Sequence, residues 1–246
     1  MAVRLITIDF WNTMVDPHVG GEKRKELRFA QLERVLRQAG RRMELEELEA
    51  VYQQARLWFE GSWQEARYTP PVELLVRRIW EELDVEVAEE AHRETVRVFE
   101  EGLLQAPPAF APGLKEGLAE LAQRYALCIV SDTMFSPGRV IRQLLEEAGL
   151  IGFFQHFVFS DETGYAKPDP RAFLNALRAF GVEPREAVHI GDLQRTDVEG
   201  AQALGMRAVL YVGLNRRDLE GHTADAVAED WLQIPPLVEQ LDRGDP

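Results

Sequence analysis

The chain has 246 residues, 46% apolar and 28% charged, enough to bury the core of one large globular domain or of two moderate ones. A net charge of −14 excludes nucleic acid and anionic lipid as partners over most of the surface, so an anionic small molecule needs a locally positive pocket. No apolar run approaches the ~20 residues of a membrane span, the N-terminal run is too short and interrupted for a signal peptide, and a lone cysteine, Cys128, excludes an internal disulfide framework, which makes the cytoplasm the expected compartment.

The first predicted strand, residues 3–8, is an apolar run that ends on Asp9 and is followed by Phe10-Trp11-Asn12-Thr13. Residues from about 15 to 105 then carry no convincing strand but four amphipathic helical stretches, Glu22 to Gln38, Glu44 to Phe59, Val72 to Leu83 and Ala88 to Leu104. Pro107-Pro108 and Pro112-Gly113 mark the return of the chain to a strand-rich pattern. Strands are predicted at 126–131, 156–160, 186–190 and 207–212, alternating with helices at Arg139 to Ala148, Pro170 to Phe180 and Asp197 to Leu204. Strands spaced by such helices predict a parallel sheet covered on both faces, interrupted once by a helical insertion. The expected division is a core of residues 1–14 and 106–246 and a helical cap of 15–105, with a frayed tail over Arg243-Gly244-Asp245-Pro246. Asp169 is expected to cap the helix that starts at Pro170, and Thr196 with Glu199 has capping-box spacing.

Four polar features follow predicted strands: Asp9, Ser131-Asp132-Thr133, Lys167, and Gly191-Asp192 with Asp197. In a parallel sheet the carboxyl ends of the strands share one edge, so these residues can converge although they are far apart in sequence. Carboxylates gathered in one place repel unless a cation lies among them, and Mg²⁺ takes oxygen ligands from few carboxylates while keeping waters and substrate oxygens. Lysine opposite them orders an anionic nucleophile and an incoming anion, and a serine hydroxyl donates to phosphoryl oxygens. Such a set suits attack of a carboxylate on phosphorus. Each residue taken singly has a plainer role: Asp9 and Ser131-Asp132 in turns, Lys167 in a solvated loop, and Asp197 as an acid favoured by a helix dipole.

The order Asp9-x-x-x-Thr13, Ser131, Gly164-Tyr165-Ala166-Lys167-Pro168-Asp169-Pro170 and Ile190-Gly191-Asp192-x-x-x-x-Asp197-x-x-Gly200-Ala201 closely resembles the haloacid dehalogenase superfamily of hydrolases. The resemblance covers residues 3–12 and about 112–230, and it implies a Rossmann-like α/β core with an inserted α-helical cap of the C1 type. It implies Asp9 as nucleophile, Ser131 as donor to the phosphate, and Lys167 as the cation that orders Asp9 and a small phosphorylated substrate. It also implies Mg²⁺ held by Asp9, Asp192, the backbone carbonyl of Trp11 and, directly or through water, Asp197.

Trp11 departs from the family's phosphatases, in which the residue two after the nucleophile is an aspartate that protonates the leaving group and activates water. Indole donates a hydrogen bond but does not titrate usefully. General acid–base help is worth ~10²–10⁴ in rate, so the expected substrates are acyl or aryl phosphates, whose leaving groups depart unaided. Asn12 stands where the family often has glycine and tolerates a left-handed turn. Two other hydrolytic readings follow from Trp11: 2-haloacid dehalogenation, disfavoured by the acidic Gly191-Asp192 and Asp197 motif, and phosphonate cleavage, which needs a cap lysine where only Lys23 and Lys25 are available. A third reading is non-catalytic binding of a phosphorylated metabolite or a partner protein. Substrate contacts from the cap are expected at Trp63, Arg67 and Tyr68, and from the core at Ser131, Asp132 and Lys167, while Trp58 and Trp80 are expected to pack the cap interior. Oligomeric state is left open by the sequence.

Overall fold

The computed structural model describes residues 2–243. In chain order the strands are β1 (Leu5–Ile8), β2 (Val15–Asp16), β3 (Ala109–Phe110), β4 (Ala126–Ser131), β5 (His156–Phe159), β6 (Ala187–Gly191), β7 (Arg207–Tyr211) and β8 (Ala226–Ala228). The helices are α1 (Gly21–Gln38), α2 (Leu45–Ala66), α3 (Val72–Glu82), α4 (Glu89–Gln105), α5 (Leu114–Leu121), α6 (Gly138–Glu147), α7 (Ser160–Thr163), α8 (Pro170–Phe180), α9 (Glu199–Gln202) and α10 (Ile234–Arg243).

Six strands form one parallel sheet in the order β5-β4-β1-β6-β7-β8. Alternation along the strands divides the core into two layers. Ile6, Ile8, Leu127, Ile129, Val188 and Ile190 face α5, α6 and α10, while Leu5, Cys128, Val130 and Ala187 face α8 and α9. Both faces of the sheet are therefore buried, which is why β1 reads as an almost unbroken apolar run rather than an alternating one. The chain winds from β1 out to β4 and β5 and then back to β6 on the other side of β1. That reversal beside β1 opens a crevice at the carboxyl edge of the sheet, where Asp9, Ser131 and Gly191 end up together.

The antiparallel pairing of β2 with β3, Val15 opposite Phe110 and Asp16 opposite Ala109, closes the base of the helical excursion. Helices α1–α4 bury their own apolar cluster, with Leu48, Tyr52, Ala55 and Phe59 spaced along one face of α2. Trp58 and Trp80 belong to this cluster, and Met134 and Phe135, from the loop after β4, pack against it.

Several local expectations change. Helix α2 continues past Phe59, where the predicted stretch ends, to Ala66, so Trp63 sits on a helix; one interior glycine, Gly61, costs only about 1 kcal/mol and does not break the run. Thr196 does not cap a helix: it lies inside a π-helical turn, Gln194–Val198, and its hydroxyl bonds the neighbouring Asp197 carboxylate at 3.1 Å. Asp169 does cap α8, accepting the Arg171 N–H at 2.9 Å with Pro170 as the first helical residue. The tail expected at 243–246 lies outside the described residues from 244 onward; Arg243 ends α10 and pairs with Glu239 at 2.6 Å.

Candidate active site

A single cavity of about 540 Å³ between the carboxyl edge of the sheet and α1–α2 is lined by Asp9, Trp11, Trp63, Asp132, Lys167, Asp192 and Asp197 among others. Asp9 lies just past the tip of β1, held by its own N–H to the Ile190 carbonyl at 2.9 Å. One carboxylate oxygen, Oδ1, accepts from Lys167 Nζ at 2.6 Å and Ser131 Oγ at 3.1 Å. The other, Oδ2, has among the described residues only a long bond of 3.4 Å from Thr13 Oγ1.

Lys167 is buried and its ammonium bridges Asp9 and Asp197, 2.6 Å from each. Its backbone N–H donates at 3.0 Å to Asp132, whose other oxygen accepts Trp63 Nε1 at 2.7 Å. Asp132 thus links a side chain of α2 to the loop that carries Lys167. Asp197 is fully engaged: Oδ1 accepts from Lys167 and from His189 Nε2 at 3.0 Å, and Oδ2 accepts from the Leu193 N–H at 3.0 Å and Thr196 Oγ1. Burial lowers the His189 pKa, and the neutral ring that results donates from Nε2 while Nδ1 takes the Thr7 hydroxyl at 2.8 Å. Asp192 has one partner among the described residues, Asn215 Nδ2 on Oδ2 at 2.7 Å.

The charges follow from these contacts. Burial opposes ionisation of Asp197, but Lys167 and His189 hold it well below the usual carboxylate range. Burial likewise opposes the Lys167 charge, and Asp197 and Asp9 overcome that and hold it well above the usual lysine range. Asp9 is pushed up to about 6 by burial, against the pull of Lys167 and with the push of Asp197. Asp192 rises to about 8, through burial first and then through the charges of Asp197 and Asp9. The site therefore gathers more carboxylates than its one lysine balances, and Asp9 Oδ2 and one oxygen of Asp192 have no strong donor among the described residues.

That surplus is what a hard divalent cation neutralises, and the donors are oxygens. Among the described residues no three histidine, cysteine or acidic side chains enclose a cation by themselves, so backbone oxygen and water would have to complete its shell. Such a mixed shell is the kind Mg²⁺ prefers, and the donor set fits it.

Raised carboxylate pKa values make stability pH-dependent. Asp9 and Asp192 bind protons more tightly when folded, so their contribution is complete below about pH 4 and is lost as pH rises through about 6 and about 8. With divalent cations chelated, the melting temperature is expected to fall by several degrees across that window, and Asp192→Asn to flatten the fall; thermal unfolding at stepped pH measures both.

Trp11 packs edge-on against Phe10, with ring centroids 5.0 Å apart, and its indole N–H is buried without a partner among the described residues. Asn12 adopts the left-handed conformation, φ 54°, that the turn requires. Asp132 does not take the place of an acid at position 11, because both its oxygens already accept hydrogen bonds.

Gly191 has a steric role. A Cβ there would fall 2.5 Å from the Asp197 Cβ and closer still to its carboxyl carbon. Gly191→Ala is expected to displace Asp197 from its donors and destabilise the fold by about 1–3 kcal/mol, measurable by urea unfolding.

Of the cap residues expected to meet substrate, only Trp63 lines the cavity. Arg67 ends α2 in a left-handed conformation, with its side chain exposed and its carbonyl accepting the Ala166 N–H at 2.7 Å, and Tyr68 next to it is 38% exposed. The continuation of α2 to Ala66 carries both past the cavity. Sequence reasoning passed over Arg24, Arg28 and Arg56, which line it, because all three lie in helical runs that read as solvated faces. It also passed over His189, hidden in a strand pattern.

A parallel sheet that gathers a buried carboxylate, a lysine, a serine and further acids at its switch point has the arrangement of a hydrolase-type site. The chain belongs to the haloacid dehalogenase-like hydrolase family, whose family model matches residues 3–205. It is 32% identical over 135 residues, 54% of each chain, to glyceraldehyde 3-phosphate phosphatase of Pyrococcus furiosus. It is 37% identical over 130 residues, 46% of this chain and 52% of the other, to phosphoserine phosphatase of Thermus thermophilus. The matches thus span about half the length of these relatives. Among solved structures, 2-haloacid dehalogenase from Pseudomonas syringae pv. Tomato superposes with a TM-score of 0.74 over 97% of this chain and 99% of that one, at 23% identity, a likeness of fold. No helix among the described residues is long and apolar enough to cross a membrane.

Proposed function

We propose that this chain is a Mg²⁺-dependent phosphohydrolase of the cytoplasm that acts on a small phosphorylated metabolite through an aspartyl-phosphate on Asp9, with residues 15–105 as a cap over the core of 1–14 and 106–246. The observation that carries this reading is the Lys167 ammonium, 2.6 Å from both Asp9 and Asp197, with the Ser131 hydroxyl on the same Asp9 oxygen.

An Asp9 oxygen attacks phosphorus, the bond from phosphorus to the leaving-group oxygen breaks, and that oxygen departs with the electron pair. Water then attacks the phosphorus of the acyl phosphate, releasing inorganic phosphate and restoring Asp9. Lys167 keeps Asp9 oriented and offsets the approach of a second anion, while Ser131, released from Asp9, donates to a phosphoryl oxygen. Asp197 and His189 hold Lys167 in place. Asp9, Asp192 and the carbonyl of Trp11 would hold Mg²⁺, with Asp197 nearby. When bound, the ion neutralises the carboxylate surplus and the charge on the phosphoryl oxygens.

Because indole cannot protonate the departing oxygen, the reading favours acyl and aryl phosphates over alkyl phosphates. A screen of acetyl phosphate, p-nitrophenyl phosphate, alkyl phosphates and 2-haloacids, each with and without Mg²⁺, tests it. Turnover of the first two with Mg²⁺ is expected; halide release without metal would instead identify a dehalogenase, and binding without turnover a non-catalytic relative.

Closure depends on Trp63. Trp63→Phe keeps an aromatic ring, though a smaller one, and takes the N–H from Asp132, leaving a buried carboxylate oxygen without its donor. The expected result is a kcat/KM lower by about tenfold for p-nitrophenyl phosphate, with the larger part in KM, since steady-state kinetics would register a weakened cap contact more than lost chemistry.

A further inference from the structure

The cavity is polarised: acids on the sheet edge face arginines on the first helix of the excursion. Arg24 and Arg28 are one turn apart on α1, so two like charges share one face. Arg24 is consumed by the fold, its guanidinium donating to the carbonyls of Val19 at 3.1 Å, Ala106 at 2.5 Å and Pro17. Arg56, also on the cavity wall, is paired with Glu60 at 2.5 Å. Among the described residues Arg28 has no such partner. Its guanidinium lies 4.8 Å from the Phe135 ring centroid and 5.7 Å from that of Phe99, its Nε is buried with no hydrogen bond, and Nη1 has only a 3.4 Å contact with the Tyr52 hydroxyl. In a chain of net charge −14, a guanidinium next to another and without a carboxylate among the described residues is an uncompensated cation facing a cavity. Arg24 registers it: burial and the neighbouring Arg28 charge both lower its pKa.

We infer that Arg28 receives a carboxylate carried by the substrate, so that the phosphorylated metabolite is a small phosphorylated acid, bound with its phosphoryl group toward Asp9 and Lys167 and its carboxylate toward α1. This rests on the phosphohydrolase reading for the identity of the other end. Lys167 already serves the phosphoryl end, which leaves Arg28 for a separate group. Of the remaining arginines on the wall, Arg217 is exposed, whereas the half-buried Arg28 guanidinium matches one negative charge and its planar fork fits the two oxygens of a carboxylate. The two aromatic rings pack against the guanidinium and its Nε is buried, so water is partly excluded beside it, a condition that strengthens a charge-assisted pair.

Binding, measured by calorimetry on the full chain with non-hydrolysable probes, tests this independently of turnover. The native protein is expected to bind 4-carboxybenzylphosphonate at least about tenfold more tightly than benzylphosphonate, the range of a charged hydrogen bond. In Arg28→Gln that ratio is expected to collapse to near one, and in Arg28→Lys, which keeps the charge and loses the fork, to an intermediate value. Should Arg28→Gln not fold, the native ratio and Arg28→Lys carry the test. No preference in the native protein, a preference that survives Arg28→Gln, or an equal loss for both probes, which would put Arg28 on the phosphorus end, overturns the assignment. If the binding ratio behaves as stated while acetyl phosphate and p-nitrophenyl phosphate are not hydrolysed, the carboxylate subsite stands and the phosphohydrolase reading fails.

Discussion

Asp9→Asn is expected to remove turnover of acetyl phosphate and p-nitrophenyl phosphate by at least roughly 10³-fold, because no other group replaces a lost nucleophile. Asparagine has nearly the same shape, and Lys167 keeps its 2.6 Å partner Asp197, so the fold is not the casualty. Asp9 is itself buried and pushed up to about 6, so at neutral pH the protein bears an ionisation cost there that the amide removes. The melting temperature is therefore expected to move by no more than about 4 °C. Kinetics and calorimetric melting on the same preparation separate a missing nucleophile from a damaged structure. Retained turnover would transfer the chemistry to another residue.

Trp11→Asp has the second large effect, with the opposite sign. A carboxyl two residues after Asp9 can protonate a departing alkoxide and later take a proton from water. The gain expected in kcat/KM for alkyl phosphates is ~10²–10⁴. For p-nitrophenyl phosphate, whose leaving group needs no proton, the change is expected to stay within about tenfold. The exchange is expected to leave the protein folded, because the indole is only partly buried and its N–H has no partner among the described residues. The diagnostic is the ratio between the two substrate classes across native and variant proteins. Equal gains for both would mean that Trp11 obstructs the cavity rather than marking an absent acid.

Much of this molecule is legible in its sequence, for identifiable reasons. The five longer strands of the sheet are largely apolar runs, four of which lead directly into a polar residue, and burial on both faces makes such runs conspicuous. Asp169 before Pro170 announces α8 because cap and first-turn proline are local signals. β2, β3 and β8 are two or three residues long and depend on partners remote in sequence, so no periodicity marks them. The capping box at Thr196 fails because the buried Asp197 recruits the same hydroxyl, and a site hydrogen bond overrides a helix-start preference. Asp9, Ser131, Lys167, Asp192 and Asp197 follow strands, and sheet topology brings strand ends together, which made their convergence predictable. Arg28 was invisible for the converse reason. On α1 it reads as one charge among many, and its significance comes only from Phe135 packing beneath it and from the lack of an acid beside it.

Rapid acid quench of the native protein during turnover of isotopically labelled acetyl phosphate with Mg²⁺, followed by peptide mass spectrometry, addresses the covalent intermediate itself. The label is expected on the peptide containing Asp9, to decay as inorganic phosphate appears, and to be missing from Asp9→Asn. Steady release of phosphate with the Asp9 peptide never labelled would contradict the mechanism proposed for this site.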